Sequence, residues 1–97
     1  MSRRDGRKAL ELRLPDELRK RLVKTSQQHL PLAYLARQAL RRALDTGEGW
    51  QTEVAPGGDR PILLQLSTEE LARLEMWIAS KDVPPETAVL SLISAVV

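Results

Sequence analysis

The chain has no cysteine and no phenylalanine, and its aromatic residues are limited to Tyr34, Trp50 and Trp77. Without cysteine there are no disulfides and no thiolate metal sites, and a reducing, cytoplasmic setting is the expected one. With so few rings, the core has to be built from Leu, Ala, Val and Ile, which suits helices packed closely on one another. No apolar run approaches the roughly 18 residues of a membrane span, so no membrane partner is expected. No apolar segment follows the basic N-terminus, as a signal peptide would require. There is one histidine, and there is neither a glycine-rich phosphate loop nor a carboxylate pair in a cleft-like pattern. An enzyme is therefore not expected, nor is a cofactor or a metal. His29 falls at a helix end, where a turn role is the ordinary explanation. Glu69-Glu70 reads as helix-start chemistry rather than acid–base machinery.

What is present is charge, unevenly spread. The 97 residues carry a net charge of +2. Residues 1–44 hold twelve Lys/Arg against four acids; residues 45–60 hold one Arg against four acids; residues 61–97 hold two cations against five acids. A basic half joined to a mildly acidic half fits either polyanion binding through the first half or a solvated basic helix surface.

Arg3, Arg4, Arg7 and Lys8 form a basic arm over residues 1–8, of the kind that contacts phosphates. A strand is predicted at about 9–14, where Leu10, Leu12 and Leu14 alternate with Glu11 and Arg13. Pro15 stops it and suits the first turn of a helix. That helix runs over about 16–28, with Leu18 and Leu22 inward and Val23 beside them. His29-Leu30-Pro31 breaks it. A second helix over about 31–44 carries the stripe Leu32, Leu35, Ala36, Ala39, Leu40, Ala43 and Leu44. Residues 46–60, rich in glycine, form a linker in which Trp50 is expected to dock on the domain. A second strand spans Ile62 to Leu66. Ser67 and Glu70 have the spacing of a capping box, opening a helix that runs to about 79–81. Val83-Pro84 breaks this one too, and a last helix follows from about residue 84.

The two halves repeat. Leu18, Leu30-Pro31, Leu35, Leu40 and Leu44 correspond to Leu71, Val83-Pro84, Ala88, Ile93 and Val97 at an offset of 53, and the strands correspond at an offset of 52. The units are thus 9–45 and 61–97, a βαα repeat that is mainly helical with two short strands.

A strand of alternating apolar and polar residues, a proline turn and two helices resemble the ribbon-helix-helix family of DNA-binding proteins, the Arc and MetJ type. The likeness is carried by Leu10-Glu11-Leu12-Arg13-Leu14-Pro15-Asp16-Glu17-Leu18 and by Leu35-Ala36-Arg37-Gln38-Ala39-Leu40-Arg41-Arg42-Ala43-Leu44. In that family two copies pair their strands into an antiparallel ribbon over a four-helix core; here one chain holds both, as in tandem members. The resemblance implies an intramolecular (βαα)2 pseudo-dimer that binds double-stranded DNA through a β-ribbon in the major groove. Such a protein would serve as a repressor or as an accessory in plasmid maintenance or conjugation. By position, the base-contacting residues fall on Ala9, Glu11 and Arg13 in the first strand. In the second they fall on Leu63 and Gln65, with Pro61 as the remaining position. Arginine pairs with guanine and glutamine with adenine. The family's phosphate position, at the start of the second helix, falls near Leu32 and Ala33 in the first half. In the second half it falls near Pro85 and Glu86, where the acid would repel a phosphate.

The alternative is an antitoxin-like protein whose first half dimerises between chains on operator DNA while the second half grips a protein partner. The last helix, Thr87 to Val97, is apolar on more than one side, which fits burial in the core, self-association or a partner interface.

Overall fold

The computed structural model describes residues 8–24, 30–58 and 60–97, and of Lys8 the backbone alone. The elements follow one another as β1 (Lys8–Leu12), α1 (Asp16–Lys24), α2 (Leu32–Thr46), β2 (Ile62–Leu66), α3 (Thr68–Lys81) and α4 (Pro85–Val96). Two strands and four helices make a mainly helical domain with one small sheet. Each short strand lacks partners of its own, and the sheet solves this by pairing β1 antiparallel with β2 of the same chain. The register sets Ala9 opposite Gln65, Leu10 opposite Leu64, Glu11 opposite Leu63 and Leu12 opposite Ile62.

Because side chains alternate along a strand, this register sorts the sheet into two faces. Leu12, Leu64 and Leu66 are buried, with Leu10 and Ile62 half-buried beside them; Ala9, Glu11, Leu63 and Gln65 are exposed. The leucine face lies on the helices. Leu18 and Leu22 of α1, Ala36, Ala39, Leu40, Ala43 and Leu44 of α2, and Leu74 of α3 join it in one core. Val23, expected beside the inner face of α1, is instead exposed.

α4 is the centre of that core. Every residue from Thr87 to Ile93 is buried, with Ala88, Val89, Leu90, Leu92 and Ile93 at 0% exposure. A helix apolar on all sides is one surrounded by protein, so burial accounts for the excess apolar surface of its sequence. Its C-terminal end is closed by α1: Arg21 Nη2 donates to the carbonyl oxygens of Ser94 (2.9 Å) and Val97 (2.8 Å). A cation there also opposes the negative end of the helix dipole.

β1 ends two residues earlier than the alternation predicts. The next position on the partner strand is Pro61, which has no N–H to give a ladder. Arg13 finds other partners. Its N–H donates to Glu86 Oε2 at 2.7 Å, and its carbonyl accepts from Gly57 N–H at 2.9 Å. Gly57 passes so close that a Cβ there would lie 2.8 Å from the Leu14 carbonyl oxygen.

The segment between α2 and β2 is therefore strapped to the domain rather than free of it. Val54 N–H donates to the buried Ser91 Oγ at 2.8 Å. Trp50 stacks obliquely on Trp77, with ring centroids 5.8 Å apart, and Lys81 Nζ lies 5.6 Å from the Trp50 ring. The approach is allowed by Gly49, whose φ is +73° and where a Cβ would meet the Trp77 ring at 2.7 Å.

Candidate nucleic-acid interface

The exposed face of the sheet brings together four residues from the two ends of the sequence: Ala9 beside Gln65 and Glu11 beside Leu63. Leu63 is 57% exposed, unusual for a leucine in the middle of a strand. The face is nearly flat in chemistry. It holds one carboxylate, one amide able to donate and accept, and two apolar side chains. Such a face can meet base edges, by hydrogen bonds from Gln65 and by contact of Leu63 with a thymine methyl. These four residues include no cation. Lys20 and Lys24 on α1 and Arg42 on α2 are exposed cations of the same half. Arg3, Arg4 and Arg7 lie outside the described residues, as does His29.

Arg13, exposed between the buried Leu12 and Leu14, continues the row of Ala9 and Glu11 past the paired residues. It lies one residue past β1, and its side chain is gripped by α4: Nε donates to Glu86 Oε2 at 3.2 Å and Nη2 to Oε1 at 3.1 Å. With the backbone bond, one carboxylate takes three hydrogen bonds from one residue. These bonds hold the Glu86 carboxyl below its usual range, the Arg13 side chain contributing most and burial opposing, and they raise the Arg13 pKa further. The partners stand 73 residues apart, so no local pattern signals the contact.

The starts of the two second helices differ. α2 opens at Leu32 and Ala33 after Pro31, with no side-chain cap and no acid in its first turn. The N–H groups of its first turn and its positive dipole end are suited to an anion. α4 opens after Pro84 with Pro85, neither of which has an N–H, and its first turn carries Glu86.

A search against protein-family models, curated proteins and solved structures finds no match.

A polar cavity of about 250 Å³ lies elsewhere, between α2 and the start of α3. Its charged side chains pair with one another, although the buried Arg37 Nε has no hydrogen-bond partner among the described residues. Glu70 accepts from Arg37 Nη2 (3.3 Å) and forms an ion pair with Arg41 Nε (3.2 Å), and Arg73 pairs with Asp45 (2.8 Å) and Glu69 (3.8 Å). Glu70 also completes the capping box expected of it, accepting from Ser67 N–H at 2.9 Å while Ser67 Oγ accepts from Glu70 N–H at 3.1 Å. Its reach to Arg37 and Arg41 depends on how α2 and α3 pack. Among the described residues there is no cluster of three His, Cys, Asp or Glu that could hold a metal ion, and no helix long and apolar enough to cross a membrane.

Proposed function

We propose that the protein binds double-stranded DNA as a tandem ribbon-helix-helix unit, with its β1–β2 ribbon in the major groove. The observation that carries this reading is the register. It makes one exposed face from Ala9, Glu11, Leu63 and Gln65 while the opposite face seals onto four helices. A two-stranded ribbon is one of the two elements the major groove admits. The halves differ in what they offer. The first supplies the basic arm and the open start of α2 at Leu32 and Ala33 for phosphates. The second supplies Gln65 and Leu63 for bases. Repression, or an accessory role in plasmid maintenance or conjugation, is the class of task such binding serves.

The antitoxin-like alternative draws no support from α4, whose apolar residues are taken up by the core of its own chain. Sedimentation at low concentration separates the two readings: a folded monomer supports the tandem arrangement, an obligate dimer the alternative. The direct test is selection of duplexes from a random pool by the full chain, followed by Gln65→Ala. The substitution is expected to relax preference at one position of the selected site by about 1–3 kcal/mol. If it weakens all duplexes alike, the ribbon is not reading bases there.

A further inference from the structure

We propose that Arg13 contacts a DNA phosphate rather than a base, replacing at the β1 end of the ribbon the helix-start phosphate site that α4 lacks. This rests on the DNA-binding reading above and assigns a different role to the residue whose type most favours guanine.

Three features of the fold carry the assignment. First, Arg13 stands one residue beyond the last ribbon pair, Leu12 with Ile62, at the end of the exposed row that Ala9 and Glu11 begin. Groups at the end of a ribbon seated in the groove face the sugar–phosphate backbone, whereas those on its outer face meet base edges. Second, the residue is fixed there. Glu86 holds its N–H, Nε and Nη2, and Gly57 holds its carbonyl. To swing over the bases, the guanidinium would have to abandon both of its bonds to Glu86. Third, the side-on grip leaves donors to spare. A guanidinium has five N–H groups in a planar fork, of which Glu86 takes two, and half of the side chain remains exposed. The remaining edge is pre-oriented to donate to an oxyanion, with little rotamer freedom left to lose on binding.

The placement completes a pattern. At the first-half position, α2 opens with no side-chain cap from Pro31 and no acid in its first turn, a start suited to a phosphate. At the second-half position, Pro84, Pro85 and Glu86 remove that site. The same Glu86 that would repel a phosphate instead presents Arg13 of the first half, so a cation held at the start of α4 takes the place of that helix's own N–H groups.

The test measures binding of the full chain to its selected duplex and to shuffled duplexes, across about 50–200 mM salt. Arg13→Ala is expected to weaken binding about three- to tenfold on every duplex alike, leave the selected sequence unchanged, and lower the slope of log affinity against log salt by about 0.9. The double variant Arg13→Ala/Glu86→Ala keeps the net charge of the chain and leaves no orphaned carboxylate. It is expected to show the same uniform loss, which a general charge effect would not produce. A changed preference at one base position overturns the assignment in favour of groove reading. An unaltered affinity and salt slope overturns it as well. If the unmodified chain binds no duplex while remaining folded, the DNA-binding reading itself falls, and this role with it.

Discussion

Glu70 is where a local sequence motif and a tertiary contact meet in one carboxylate, so its removal tests the packing of α2 on α3 quantitatively. In Glu70→Ala, the Ser67 Oγ bond to the residue 70 N–H survives, but the return bond from Ser67 N–H at 2.9 Å is lost. That half of a capping box is worth about 0.5–1 kcal/mol. The bond from Arg37 and the ion pair with Arg41 go too. Arg37 is 35% exposed and Arg41 64% exposed, so screening limits the pair to about 1 kcal/mol together. The total is about 2 kcal/mol, or a fall in midpoint of about 8–16 °C for a domain of this size. Glu70→Gln keeps an acceptor for Ser67 and is expected to lose about half as much. The cost should also depend on pH. Burial pushes the Glu70 carboxyl up, but the bond from Ser67, the bond and charge of Arg37 and the charge of Arg41 outweigh it and hold it below its ordinary value. A group with a lowered folded pKa contributes stability above its unfolded pKa and loses it as pH falls through the folded one. The gap between the unmodified chain and Glu70→Gln should therefore be full near neutrality and close in acid below the usual carboxylate range. Urea unfolding followed by circular dichroism at several pH values measures both. A Glu70→Ala variant within 0.5 kcal/mol of the original at neutral pH, or a gap constant down into acid, would refute the account.

Other contacts make sharper, smaller tests. Ser91→Ala removes the acceptor of Val54 N–H from a fully buried position; it should cost about 1–2 kcal/mol and speed hydrogen exchange at the Val54 amide, and unchanged exchange would mean the strap is held elsewhere. Gly47 and Gly49 form a matched pair, both with positive φ, but a Cβ at Gly47 meets open space while one at Gly49 meets the Trp77 ring. Gly47→Ala is expected to cost about 1 kcal/mol from backbone strain. Gly49→Ala should cost about 1–3 kcal/mol more from overpacking and shift tryptophan fluorescence; equal effects would disprove the close approach.

Much of the architecture is legible along the chain because it rests on short-range causes. Leucine alternation, proline breaks and the Ser67–Glu70 spacing locate β2, α3 and the starts of α2 and α4 to within a residue or two, since these signals act over a few neighbouring positions. The exposed quartet Ala9, Glu11, Leu63 and Gln65 also follows from alternation once the strands are paired. Tertiary structure alone brought Arg13 and Glu86 together. In sequence one looks like a base reader and the other like an obstacle to phosphate; in the fold they are partners, because Pro61 ends the ladder and brings the Arg13 backbone to the first turn of α4. The same holds for the apolar surface of α4 and for the choice of Trp77 as the ring on which Trp50 docks. Periodicity records that a side chain avoids water, but only packing determines whether the core of its own chain, a strap or a partner provides the shelter.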